Sequence, residues 1–195
     1  ACKGDDAAYQ ADSESKKLLS QTSQAMFAGQ KPSSAEFESI KSILEKYPEA
    51  ESVRSVYKMA LIRREDWNAL EQFLLAVPAA ERSDEDKLNL AKALFKLGRY
   101  AETVNYLEEF QQRNDPEIRS ILANSNFYLG KYDEAKLILD KNWEEIINQK
   151  RSDDVTLRGM IYFHEKDLEK AVATLQKALE LNPDSIPAAN GLSRV

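Results

Sequence analysis

A short pattern built around glycine and an aromatic residue occurs twice, 32 residues apart. It reads Leu97-Gly98-Arg99-Tyr100-Ala101-Glu102-Thr103 and then Leu129-Gly130-Lys131-Tyr132-Asp133-Glu134-Ala135. Looser copies stand at Glu65-Asp66-Trp67-Asn68-Ala69-Leu70 and Lys166-Asp167-Leu168-Glu169-Lys170-Ala171. Aligning Glu65, Gly98, Gly130 and Lys166 gives spacings of 33, 32 and 36 residues. No other feature constrains the fold as tightly. A chain that repeats itself every ~34 residues is built from supersecondary units that bury their apolar faces against their neighbours.

The residues on either side of the pattern say what the unit is. Gly98 and Gly130 suit the left-handed conformation that ends a helix, and the aromatic that follows covers the junction of two helices. Leu107, Leu139 and Leu175 continue an apolar stripe at helical spacing beyond the turn. Helix–turn–helix is therefore the repeated element. Composition agrees: six Gly and six Pro in 195 residues supply too few tight turns for a sandwich or barrel. The apolar fraction of 43% is too high for a disordered chain. The extra residues before Lys166 predict a longer loop over Asn148-Gln149-Lys150-Arg151-Ser152.

The final copy adds Gly159-x-x-Tyr162, Ala171-x-x-x-Leu175, Ala178 and Leu181-Asn182-Pro183. Pro48, Pro78, Pro116 and Pro183 fall near the ends of second helices, where proline stops one repeat and starts the next. On these residues the chain resembles the tetratricopeptide-repeat family over residues 12–195. The resemblance implies an all-α, right-handed α-solenoid of about five antiparallel helix pairs, with the start of a further helix at 185–192. The pairs are drawn at 13–47, 51–78, 84–113, 117–148 and 153–181. Residues 1–12 are read as a flexible tether and residues 13–195 as the repeat domain. The first pair reads as a divergent or capping repeat. Lys58 stands where the family has a small residue, which predicts looser packing of the second pair. The short apolar last helix suggests a chain that continues past Val195 or packs against another surface.

Catalytic parts are scarce. His164 is the single histidine, so no histidine pair can hold a metal, and it reads as a helix-end residue. Acidic doublets such as Glu144-Glu145 and Asp153-Asp154 do not face each other on a helix. A net charge of −6 argues against a broad basic face for nucleic acid. The expectation is a protein without enzymatic activity, cofactor, metal or small-molecule substrate.

The resemblance places a repeating position of each first helix on a concave face. Three residues before the turn it holds Met26, Ile62, Phe95, Phe127 and Phe163, and three further back Ser23, Met59, Lys92, Asn124 and Met160. The predicted partner-binding groove is therefore Met59, Ile62, Lys92, Phe95, Asn124, Phe127, Met160 and Phe163, fit for an extended peptide or an amphipathic helix. The competing reading is that these side chains are consumed by packing between neighbouring first helices. Leu88 with Lys92, and Ser120 with Asn124, do not make the two-carboxylate clamp found in some family members.

Cys2, preceded by Ala and followed by a polar stretch, resembles the lipidation site of a mature bacterial lipoprotein, and Lys3 after it resembles outer-membrane sorting. That resemblance implies a periplasm-facing scaffold anchored to the outer membrane through a lipid on Cys2. It would dock a protein partner from pilus or secretin assembly, exopolysaccharide export, or outer-membrane protein assembly. Two alternatives stand beside it: a soluble cytosolic adaptor in which Cys2 is incidental, and a docking arm for a catalytic part beyond Val195.

Overall fold

The structure, a computed structural model, describes residues 2–110 and 115–195, with backbone alone at positions 2 and 3. Among the described residues there are thirteen α-helices and no strand. They fall into two compact units, residues 1–93 and 94–195, with the boundary inside one helix, α6.

The first unit contains α1 (Cys2–Ala11), α2 (Ser13–Phe27), α3 (Ser34–Lys46), α4 (Glu51–Arg64), α5 (Trp67–Leu75) and most of α6 (Asp84–Lys96). Two helix pairs, α2 with α3 and α4 with α5, stand where the periodicity places them. Helix starts follow from capping chemistry. Asp12 caps α2, Asp66 caps α5, and Ser33 with Glu36 forms a reciprocal capping box at α3. The core gathers Leu19, Met26, Ile40, Ile43, Val53 and Ala60. Met26 is fully buried, so it belongs to this core and leaves the concave row drawn from the sequence.

The segment read as a tether is helical. Residues 2–11 form α1, and Tyr9 on it is only 6% exposed, packed edge-on against Tyr47 with ring centroids 5.8 Å apart. The Asp5 carboxylate accepts the Glu49 backbone N–H at 2.9 Å. One aromatic side chain and one carboxylate thus hold a polar helix that composition alone reads as a linker. Lys58, the large residue of the second pair, has an ionic partner on α6. Its ammonium meets the Asp86 carboxylate of α6, and both side chains are largely shielded, so the large residue is accommodated by an ion pair.

The second unit continues with α7 (Tyr100–Leu107), α8 (Pro116–Tyr128), α9 (Tyr132–Asp140), α10 (Trp143–Asn148), α11 (Ser152–His164), α12 (Leu168–Leu181) and α13 (Ile186–Leu192). The third predicted pair runs into residues 111–113, outside the described residues. Leu107, Leu139 and Leu175 are fully buried, as their helical spacing predicts. Pro116 is the first residue of α8, and Asp115 caps that helix.

The extra residues ahead of Lys166 are not spent on a long loop. They lengthen the second helix of the fourth pair, which breaks into α9 and α10 at Lys141-Asn142, and only residues 149–151 separate α10 from α11. Arg158 of α11 spans that break. Its guanidinium pairs with Asp140 at 2.6 Å and lies 4.0 Å from the centre of the Trp143 ring. Gly159 permits α11 and α12 to pack closely: a Cβ there would stand 2.7 Å from Leu175 Cγ. Ser185 caps α13, whose Ala188 and Gly191 are buried.

Candidate functional site

Five of the helix pairs turn through one backbone device, the first of them at Gly29, where φ is 88°. Glu65, Gly98, Gly130 and Lys166, the four positions equated by the repeat, all have positive φ, at 57°, 77°, 75° and 65°. At each, the left-handed residue donates its N–H to the carbonyl three residues back, and the next residue donates to the carbonyl five back. Thus Gly130 donates to Phe127 at 2.9 Å and Lys131 to Asn126 at 2.9 Å, while Lys166 donates to Phe163 and Asp167 to Tyr162, both at 3.0 Å. This is the Schellman closure of a helix end. It fixes a register: Ile62, Phe95, Phe127 and Phe163 always supply the carbonyl three before the turn.

In the second unit that register aligns rings. Tyr128 stacks on Tyr100, with centroids 4.6 Å apart and planes 14° from parallel, and Phe95 leans on both. One repeat on, His164 stacks on Tyr132 at 4.9 Å and 19°, and its Nδ1 is 3.3 Å from the Tyr132 hydroxyl. Phe127 touches Tyr128, Tyr132 and His164, and Phe163 touches His164. The rule is regular. The last ring of a first helix lies on the ring that opens the second helix of the preceding pair. The result is a continuous chain of seven rings running from Phe95 to Phe163.

The eight groove positions divide between the units. Met59, Ile62 and Lys92 belong to the first, and Met59 packs partly on its core. Phe95, Asn124, Phe127, Met160 and Phe163 belong to the second, all half-buried. The three phenylalanines are therefore shared: one side of each ring packs into the ladder and part remains open. Asn124 turns its amide back to the Ser120 carbonyl at 2.9 Å. Met160 points its sulfur toward α13, 3.2 Å from where a Gly191 Cβ would stand. Cys2 opens α1, and its side chain lies outside the described residues.

Tyr128 and His164 are the ladder members that spacing alone missed. The signal was present in two of the repeats, as a second ring directly after the phenylalanine in Phe127-Tyr128 and Phe163-His164, whereas Lys96 follows Phe95. Tyr128 is 57% exposed, and His164 is exposed as well. Acids near the turns are neutralised locally. Glu102 lies against Arg99 at 2.5 Å, Glu165 against Lys136 at 2.6 Å, and Asp167 against Lys170 at 2.7 Å. The Arg99 and Lys170 hydrogen bonds lower the pKa values of Glu102 and Asp167, and the Glu165 bond raises that of Lys136. The ladder is thus an apolar strip edged by satisfied ion pairs. Among the described residues no group of three or more His, Cys, Asp or Glu is gathered to hold a metal, and no helix is long and apolar enough to cross a membrane.

Residues 156–185 match the sequence profile of the tetratricopeptide repeat, and residues 68–142 match that of anaphase-promoting complex, cyclosome, subunit 3. The chain is a tetratricopeptide-repeat protein. No curated protein matches this tetratricopeptide-repeat chain in sequence. Solved structures match it in fold. YrrB, described as a TPR protein with an unusual peptide-binding site, is 18% identical with a TM-score of 0.68, covering 100% of both chains. TTC0263, a thermophilic TPR protein of Thermus thermophilus, is 15% identical with a TM-score of 0.64, covering 92% of this chain and 97% of its own. Cut9 with Hcn1, from an APC/C hetero-tetramer, is 15% identical with a TM-score of 0.58, covering 95% of this chain and 40% of its own. The α-solenoid expectation of paired antiparallel helices holds for this tetratricopeptide-repeat protein.

Proposed function

We propose that this protein is a non-enzymatic scaffold that docks a peptide or helix of a protein partner against the ring ladder of its second unit. The observation that carries the reading is the open edge of that ladder, with Tyr128 exposed and Phe95, Phe127 and Phe163 half-buried beside it. Burying one such ring against a ligand is worth roughly 1.5–3 kcal/mol before ordering costs, so a few together suffice for specific binding. The peptide-binding site named for YrrB supports the same use of the fold. Phe95, Asn124, Phe127, Met160 and Phe163 are the sequence-predicted members, and Tyr128 and His164 join them.

At a finer level we read the protein as a periplasm-facing lipoprotein, anchored to the outer membrane on Cys2 and serving an envelope assembly or export machine. Its support is the placement of Cys2 and Lys3 in the sequence. The alternative is a cytosolic adaptor in which Cys2 is incidental, and on either reading helix α1, docked through Tyr9, leaves little slack ahead of the repeats. Mass spectrometry of the N-terminal peptide from cells separates the two: a diacylglyceryl mass on Cys2 supports anchoring, and an unmodified thiol overturns it.

The docking reading is tested by replacing Tyr128 with Ala, alone and with Phe127→Ala, and capturing partners from envelope extract beside the parent protein. Loss of one captured protein with unchanged helical circular dichroism is the expected result. Unchanged capture, or melting of the single Tyr128→Ala variant at room temperature, overturns it.

A further inference from the structure

We draw no further inference here: the strongest candidate, the hollow of about 430 Å³ at the uncapped start of α11, is lined by Lys150 and Arg151 against Asp153 and Asp154, so its charge selects neither an anion nor a cation, and nothing in the structure shows what would fill it.

Discussion

Tyr128 lies flat on Tyr100 across two consecutive repeats, at a centroid separation of 4.6 Å. The pair belongs to neighbouring helix pairs, so it transmits packing from one repeat to the next. A double-mutant cycle with Tyr100→Leu and Tyr128→Leu is expected to show a coupling of about 0.5–1.5 kcal/mol in urea unfolding, the usual value of an aromatic pair beyond its area. Strict additivity would mean that the stacking has no energetic content.

The shared left-handed turn predicts opposite effects of substitution at two equivalent positions. Lys166 adopts φ 65° with a side chain that disfavours it, whereas Gly130 adopts φ 75° freely. Lys166→Gly should therefore raise stability slightly, and Gly130→Ala should lower it by about 1 kcal/mol. Thermal melts of the two variants, run beside the parent, give the signs directly.

Gly159 makes a sharper case. Alanine ordinarily strengthens a helix by about 1 kcal/mol over glycine. Here its Cβ would stand 2.7 Å from Leu175 Cγ, and overpacking costs about 1–3 kcal/mol. Gly159→Ala should be destabilising, whereas Gly4→Ala on α1, which meets nothing within 4 Å, should not be. Equal melting points for the two would remove close approach as the reason for glycine at 159.

Asp12 contributes to the acid limb of stability in the first unit. Its carboxylate accepts the Lys46 ammonium at 2.7 Å, the Tyr47 hydroxyl at 2.8 Å and the Ser15 N–H at 3.0 Å. The Lys46 bond is the largest cause holding its pKa well below the ordinary carboxylate range. A folded-state value below the unfolded value of about 3.9 means that the contribution is complete above that pH. It is lost as pH falls through the folded value. Asp12→Asn should destabilise at pH 7, and the gap to the parent should close as pH drops below about 4. A gap that stays constant down to about pH 2 would contradict this assignment.

Much of the architecture was legible because it is local. The αL turn, its closing hydrogen bonds and the Leu107, Leu139 and Leu175 stripe all depend on residues within a few positions of each other. Spacing therefore located the described helices between 51 and 181 to within a few residues. The errors came where a distant contact intervenes. Residues 2–11 read as a linker until Tyr9 meets Tyr47 and Asp5 meets Glu49. The surplus before Lys166 read as a loop until Arg158 clasps Asp140 and Trp143 across a broken helix.

The candidate site divides along the same line. Sequence alone determined the repeat, the register of Phe95, Phe127 and Phe163 within it, and the helix–turn–helix unit, because period and turn chemistry are written in consecutive residues. Only tertiary structure decided which rings touch. It buried Met26 in the core, turned the Asn124 amide back on its own helix, and laid Tyr128 and His164 on tyrosines of the preceding repeat. Those outcomes depend on how neighbouring helices pack, and packing joins side chains that lie 28 and 32 residues apart in the chain.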